Sequence, residues 1–344
     1  MPARATIADV AARSGVSTAT VSRVLSGAAP ASQGTRERVL SAVRDLDYRP
    51  SGVARALKRA ETRTIGLLIT DIGNPFFPQI VRAVEDEAHA RGLGVVLCNA
   101  SDDPTRELAY LELLLERRVD GLIVASARTT RRLASLLSRV PMPVVLVNAA
   151  TRGSSLPGIT TAHRRGARLA AEHLLQLGHR RIAHISAPFR HAAAARLRMA
   201  GVTDALVAAG LEASTLLVVD GDEHVDGGAR AMEVLLAERD APTGVVCYND
   251  LTAVGALRGA RAAGLRVPED LSIVGFDDIE IASWTDPPLT TVRQPTEAMG
   301  RWAVERLTEA LGGNAVADEH VTLEPALVVR GSSGPPPPTP TGFA

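Results

Sequence analysis

Thr18, Ala19, Ser22 and Arg23 recur at spacings of three and four residues. On a helix such residues are neighbours, so these four would form one small polar face with a single guanidinium. A guanidinium exposed there could make two parallel hydrogen bonds to guanine in a major groove. A second group, Asp71, Asn74, Asn148, Asn249, Asp250, Asp277 and Asp278, stands just after short apolar runs. Carboxylates and amides held at strand ends could grip a small polar molecule, although each is equally a turn former or a helix cap. Patterns for catalysis are missing: there is no Gly-x-Ser-x-Gly, no His-Glu-x-x-His and no P-loop, and the eight histidines are scattered without zinc-like pairing. We therefore expect no enzyme activity, no metal and no cofactor.

The elements that must position these residues can be read from periodicity. Thr6 and Asp9 have the spacing of a capping box, and Ile7, Val10, Ala11 and Ser14 share one face of the helix it would start. Gly15 ends that helix, Ser17 caps a second running to about Leu25, and Val21, Val24 and Leu25 point inward. A third helix, about 32 to 46, is expected to bury Val39, Leu40, Val43 and Leu46. From Thr64 onward short apolar strands alternate with amphipathic helices. Strands are expected at 65–69, 95–98, 121–125, 144–147, 181–185, 216–219, 245–248 and 272–276, with helices such as 77–90, 105–116, 164–176 and 251–263. Gly92, Gly178 and Gly264 follow three of these helices, where a terminating glycine belongs. The pattern predicts parallel sheets covered by helices on both faces, divided into two subdomains.

Charge and composition narrow the class. Between Met1 and Arg63 eleven bases face five acids, a surplus of +6 that the rest of this chain of zero net charge balances. A basic head on an acidic body suits a polyanionic partner. The chain is 46% hydrophobic but only 3% aromatic, so its core must be aliphatic. No apolar run reaches membrane-spanning length and the N-terminus has no apolar leader, which predicts a cytoplasmic protein with no membrane partner. Cys98 and Cys247 are expected to be buried free thiols. Residues 331–344, with Pro335 to Pro338 in a row, are expected to be a disordered tail.

Several stretches carry a more specific likeness. Thr6-Ile7-Ala8-Asp9-Val10-Ala11, Gly15-Val16-Ser17, Thr20-Val21-Ser22-Arg23-Val24-Leu25, Thr35-Arg36-Glu37-Arg38-Val39 and Tyr48-Arg49-Pro50 resemble the head of the lactose/galactose repressor (LacI/GalR) family. The body resembles that family's periplasmic-binding-protein-like core at Asp71 to Phe77, Arg117 to Gly121, Gly178 to Ala183, Tyr248-Asn249-Asp250, Gly275 to Asp278 and Pro287 to Pro295. The likeness runs from about Thr6 to Arg330. It implies a helix-turn-helix DNA-binding domain over 1–49, a hinge over 50–63 and a ligand-binding, dimerising core over 64–330. Within that core, one subdomain would take about 64–161 plus 291–320, and the other about 162–290 plus 321–330.

The resemblance also implies roles. Thr18, Ala19 and Arg23 would face bases, and Ser17, Thr20 and Ser22 would mostly contact phosphate. Thr6, Ser51 and Arg55 would join the DNA-contacting set. In a hinge helix over 51–59, Leu57 would wedge into the minor groove, unless it merely packs the linker. Phe76 and Phe77 would wall a ligand, Arg198 would bond its hydroxyls or a carboxylate, Asn249 and Asp277 would receive polyol hydroxyls, and Gln294 would lie at the cleft edge. Three positions depart from the family pattern. Ala162 and Asn148 stand where an Asp is common, and Glu223 where an aromatic is. A purine is disfavoured without that ring, although Phe76 or Trp284 could replace it.

The expected function is a dimeric operator-binding repressor released by a sugar-like effector. A corepressor-dependent repressor, or an activator with another effector, fits the same residues, because the sign depends on which state the ligand binds better. A transporter's solute-binding protein would fit the body alone.

Overall fold

The computed structural model describes residues 5–26, 31–48, 61–126, 131–149, 156–188, 193–314 and 319–338. The chain forms two units, Met1–Thr62 and Arg63–Ala344.

The first unit contains helices α1 (Ile7–Ser14), α2 (Thr18–Ser26) and α3 (Gln33–Asp45). Each start has a local cause. Thr6 Oγ1 accepts from the Asp9 N–H at 3.4 Å while the Thr6 N–H donates to Asp9 Oδ2 at 2.7 Å, which closes the capping box. Ser17 Oγ accepts from Thr20 N at 3.2 Å, and Ser32 Oγ from Thr35 N at 3.4 Å. Gly15 turns the chain between α1 and α2 at φ 66°, a conformation that suits a residue without Cβ. Val10, Ala11, Val21, Val24, Val39 and Ala42 form the core. Leu40 corrects the sequence reading: it is exposed, and Ala42 is buried instead. The buried stripe of α3 runs through 39, 42, 43 and 46, and position 40 lies about 100° around the helix from its start.

The second unit holds two six-stranded sheets. The first contains β1 (Thr64–Ile69), β2 (Gly94–Asn99), β3 (Gly121–Ala125), β4 (Val144–Val147), β5 (Gly158–Thr161) and β11 (His320–Leu323), in the order β11-β5-β4-β3-β1-β2, all parallel. The second contains β6 (Ile182–Ser186), β7 (Leu217–Asp220), β8 (Gly244–Cys247), β9 (Ser272–Asp277), β10 (Thr290–Arg293) and β12 (Ala326–Val328), in the order β12-β10-β9-β8-β6-β7. Among the described strands only β12 runs antiparallel to its neighbour. Helices α4 (Phe76–Ala90), α5 (Pro104–Glu116), α6 (Arg131–Leu137) and α11 (Thr296–Leu311) belong to the first half. Helices α7 (His163–Gln176), α8 (Ala193–Ala208), α9 (Val225–Leu236) and α10 (Asp250–Ala262) belong to the second. Most central strands are buried throughout, so they read as continuous apolar runs rather than alternating ones. Both cysteines are free and buried.

The chain crosses between the halves at Ala162, at Gln294–Pro295 and at Glu324–Pro325. The last two crossings fall about three residues later than expected. Thr291–Arg293 complete β10 in the second sheet, and Val321–Leu323 complete β11 in the first.

The tail differs more from expectation. Gly331 to Pro338 lie on the second half, and Ser332 is fully buried. Ile273 N donates to Ser332 O at 2.8 Å, Ser332 Oγ donates to Ile273 O at 2.6 Å, and Gly334 N donates to Ser272 Oγ at 3.0 Å. Buried His179 is 2.9 Å from Gly334 O through Nε2 and 3.0 Å from the Thr243 hydroxyl through Nδ1. The proline run suggested disorder by composition, but the Ser-Ser-Gly ahead of it supplies the donors and acceptors that dock the segment.

Candidate functional site

On the first unit, the outward face of α2 carries Thr18, Ala19 and Arg23, all exposed. Val21 and Val24 on the opposite face anchor the helix in the core. Among the described residues the Arg23 guanidinium has only a long contact, 3.4 Å from Nε to Ala19 O, which leaves it available to an outside acceptor. Ser17 and Thr6 are exposed at the N-termini of their helices, and Thr20 and Ser22 are half-buried. Ser51, Arg55 and Leu57, with most of the hinge, lie outside the described residues.

In the second unit a cavity lies between the two sheets. From the first half it is lined by Thr70, Asp71, Asn74, Phe76, Phe77, Asp102 and Asn148; from the second by Arg198, Glu223, His224, Tyr248, Asn249, Asp277 and Gln294. The six residues expected to touch a ligand thus line one space. All of them are buried.

Local structure explains their positions. The turn before α4 is tied by Asp71 Oδ1 accepting from Gly73 N at 3.0 Å and Asn74 Oδ1 from Phe76 N at 3.1 Å. It presents Phe76 and Phe77 edge to face, with ring centroids 5.3 Å apart. Arg198 projects from α8 with its guanidinium 3.6 Å above the Phe276 ring and 4.5 Å from that of Tyr248. Its Nη1 donates to Tyr248 O, its Nη2 lies 3.6 Å from Asp277 Oδ1, and its Nε is buried with no partner among the described residues. Asp277 sits at the end of β9 with φ 124°, a strained value that turns its carboxylate into the cavity wall. Gln294 Nε2 donates to Asp277 Oδ1 at 2.6 Å, so the second crossing is fastened to the site. Gln294 is buried rather than at the rim, and its Oε1 has no partner among the described residues.

Asn249 lines the cavity, but much of its amide is committed to structure. Its Oδ1 caps α10 by accepting from Thr252 N at 2.8 Å, and its Nδ2 donates to Glu223 O at 3.1 Å. Glu223 has φ 70° in the loop this bond braces. Trp284 cannot replace the missing ring: it is 68% exposed and does not line the cavity. Ala162 starts α7 with no side-chain cap and is also absent from the cavity wall. Asn148, shortlisted as a strand-end residue but given no ligand role, has a buried Oδ1 with no partner among the described residues and a φ of 55°. Its position just after a strand was the available signal. Tyr248 carried no such signal, because it reads as the end of an apolar strand.

Burial dominates the electrostatics. It pushes the Asp277 carboxyl up to about 7, opposed by the Arg198 charge and reinforced by Asp250. It likewise pushes Asp250 up to about 6, against hydrogen bonds from Thr291 Oγ1 and Ile279 N. His163, 3.4 Å from Arg198 Nη2, is held well below the usual imidazole range by burial and by that cation.

These shifts fix a sign. A carboxyl raised from 3.8 to about 7 keeps its proton longer in the folded chain. Its contribution favours folding at low pH and is lost as pH rises from about 4 through 7. Asp277→Asn, which stays neutral, is expected to melt roughly 4–8 °C above the unsubstituted protein at pH 8, with the gap narrowing as pH falls toward 4. Calorimetric melts across that range test this, and a constant gap would contradict it.

Known proteins share both units. Residues 6–51 match the lacI family of bacterial regulatory proteins, and residues 171–333 match a periplasmic binding protein-like domain. The chain is 38% identical over 330 residues to the ribose operon repressor of Escherichia coli K12, covering 96% of this chain and 100% of that one. It is 35% identical over 329 residues to the HTH-type transcriptional repressor PurR of Photobacterium profundum, covering 95% and 98%. Among solved structures, the lac repressor dimer bound to operator and the anti-inducer ONPF superposes with TM-score 0.87 at 32% identity, over 96% of this chain and 100% of that one. A ribose-bound regulator from Enterococcus faecium superposes with TM-score 0.72 at 31% identity, over 79% and 99%.

Proposed function

Because the chain belongs to the lacI family of bacterial regulatory proteins, we propose that it is a cytoplasmic transcriptional repressor that binds operator DNA as a homodimer and is released by a sugar-like effector. The observation that carries this reading is the joint presence of an exposed reading helix and a buried, polar ligand cavity in one chain. No catalytic step is part of it. Among the described residues no helix is long and apolar enough to cross a membrane, and no group of side chains could hold a metal ion.

Each head reads one half of a near-palindrome through Thr18, Ala19 and Arg23, with Thr6, Ser17, Thr20 and Ser22 on the backbone. The hinge, with Ser51, Arg55 and Leu57, bends the centre. Dimerisation through the core is supported by β2, an edge strand with Val96 and Leu97 exposed, and by exposed Ile281 and Trp284. In the cavity, a hydroxyl between Arg198 Nη2 and Asp277 Oδ1 would accept from the first and donate to the second across their 3.6 Å gap. Effector contacts from both halves favour one relative angle of the halves, and the hinges report that angle to DNA. Gln79 Nε2, donating to Asp278 O at 3.3 Å, is a direct bond between the halves that such a rotation would alter.

The test is selection of duplexes from a random pool by the purified protein, followed by titration of the selected site with sugars. A near-palindromic consensus whose binding weakens with a sugar supports the reading. Tightening with the ligand would instead make it a corepressor, and a pool without consensus would remove the reading altogether. On the selected site, Arg23→Ala is expected to weaken binding by roughly 10–100-fold and to relax preference at one guanine, with the melting temperature unchanged. Competition with single-base variants of the site checks this.

A further inference from the structure

We propose that a second cavity, at the start of α7, binds the dianionic group of a phosphate monoester. This cavity shares no lining residue with the one assigned to the effector above, and its ligand does not depend on that assignment.

The second cavity opens beside the first crossing between the halves. Thr160 and Thr161 of β5 and Thr322 of β11 wall it from the first half. Arg164, Arg165 and Arg168 of α7 and Asp204 of α8 wall it from the second. Two local features bring these residues together. Strand β5 pairs with β11 in a register that sets Thr160 beside Thr322. Helices α7 and α8 pack so closely that a Cβ on Gly201 would stand 2.1 Å from Arg164 O. Asp204, one turn further along α8, therefore lies against the start of α7 and meets Arg164 there.

This end of α7 is rich in donors that the chain leaves unanswered. Ala162 cannot cap it, and its first turn holds no acid but two arginines, Arg164 and Arg165. The N–H groups of His163, Arg164 and Arg165 have no acceptor among the described residues. A helix N-terminus carries partial positive charge, so guanidiniums beside it are repelled unless an anion lies between. Asp204 gives both oxygens to Arg164, at 2.6 and 2.8 Å, and Glu172, outside the wall, accepts from Arg168 at 2.6 Å. Arg165 is 3.8 Å from Glu172, beyond hydrogen-bond range, so three guanidiniums share two carboxylates. Thr161 is an independent sign of a ligand. It belongs to the cavity wall and is 2% exposed, yet its hydroxyl has no partner among the described residues. A buried hydroxyl left unpaired is costly, and an arriving oxygen would remove that cost. Phosphate suits the whole set. Its oxygens only accept, point in several directions, and match backbone N–H groups and guanidinium forks alike. A flat carboxylate would reach fewer of these donors. The cavity is open to solvent, so the organic part of a monoester can stay outside.

The experiment is calorimetric titration of the full chain with methyl phosphate and with inorganic phosphate at about pH 8, where both are dianions, against a chloride background of matched ionic strength. Both are expected to bind, with similar affinity. Arg165→Glu and Ala162→Asp each put a carboxylate of the chain into the site, and each should weaken both ligands at least ~10-fold, the loss of one charge-assisted hydrogen bond. Ala162→Asp should also melt about 2–4 °C higher than the unsubstituted chain without phosphate, because it caps α7, so its weaker binding cannot be unfolding. Arg198→Ala, which removes the guanidinium of the other cavity, should leave phosphate affinity unchanged. The proposal is overturned if neither ligand binds above the chloride background, if Arg165→Glu and Ala162→Asp bind as the unsubstituted chain does, or if Arg198→Ala abolishes binding, which would put the anion in the effector cavity. Methyl phosphate bound at least ~10-fold more weakly than inorganic phosphate would overturn the monoester and make free phosphate the ligand.

Discussion

Arg198→Ala is expected to abolish the response to effector while leaving operator binding intact. The guanidinium is 3% exposed and lies between the rings of Phe276 and Tyr248, so its position is fixed before any ligand arrives. Removing it deletes a charged donor from the cavity and opens space beside Asp277. Loss of a charge-assisted hydrogen bond together with its positioned partner corresponds to about 3 kcal/mol or more, at least ~100-fold in effector affinity. The fold should survive, because Asp277 no longer feels a neighbouring cation and keeps its proton, so no bare buried charge is left behind. Arg198→Lys should not restore the response, because an ammonium has no flat face to lie between two rings. Fluorescence anisotropy on a labelled operator, with and without a responding sugar, reads this directly. Release from the operator by the Arg198→Ala protein at the wild-type sugar concentration would show that the cavity is not the effector site.

Gly255→Ala is expected to cost about 3 kcal/mol of stability, a fall of roughly 6–12 °C in Tm. Helices α9 and α10 meet backbone to backbone. A Cβ on Gly255 would stand 1.9 Å from Val225 O and 2.9 Å from Ala229 N, and one on Gly228 would stand 2.1 Å from Thr252 O. Rigid backbone lies on both sides, so the helices would have to separate. The contacts of Ala229, Met232, Ala256 and Ala260, all buried at this junction, would loosen with them. Gly34→Ala is the matched control: it lies in α3, and nothing stands within 4 Å of its added Cβ. It should be neutral or slightly stabilising, since alanine is the better helix former. Thermal melts of the two variants decide the matter, and a Gly255→Ala Tm within about 2 °C of wild type would rule out the close approach.

Much of the fold was legible because parallel strands buried on both faces leave continuous apolar runs, and because Gly92, Gly178 and Gly264 punctuate the helices with φ of 68°, 103° and 80°. The capping box at Thr6 and Asp9 is equally local. What failed depended on distant partners. Leu40 and Ala42 compete for one face of α3, and only the packing against α1 and α2 chooses. The docking of Ser332 is a matter of hydrogen bonds to Ile273 and Thr290, which lie some forty to sixty residues away. Site residues at strand ends could be shortlisted by position, but their chemical availability could not. Asn249 and Asn148 look alike in sequence, yet one amide caps a helix and braces a loop while the other has a bare acceptor in the cavity wall.

Among the described residues every strand ladder of the second unit closes within one half, and the chain passes between the halves at Ala162, Gln294–Pro295 and Glu324–Pro325. Turning one half against the other therefore breaks no strand pairing and calls for dihedral changes at a handful of residues. Motions of this kind run on the microsecond to millisecond scale, far faster than a bacterium makes or degrades a regulator. The joint itself then sets no delay. The lag between a change in the cell's chemistry and a change in transcription is governed by how long the effector stays in its cavity and how long the heads stay on their site. A regulator built this way keeps no record of earlier conditions and follows the present ones.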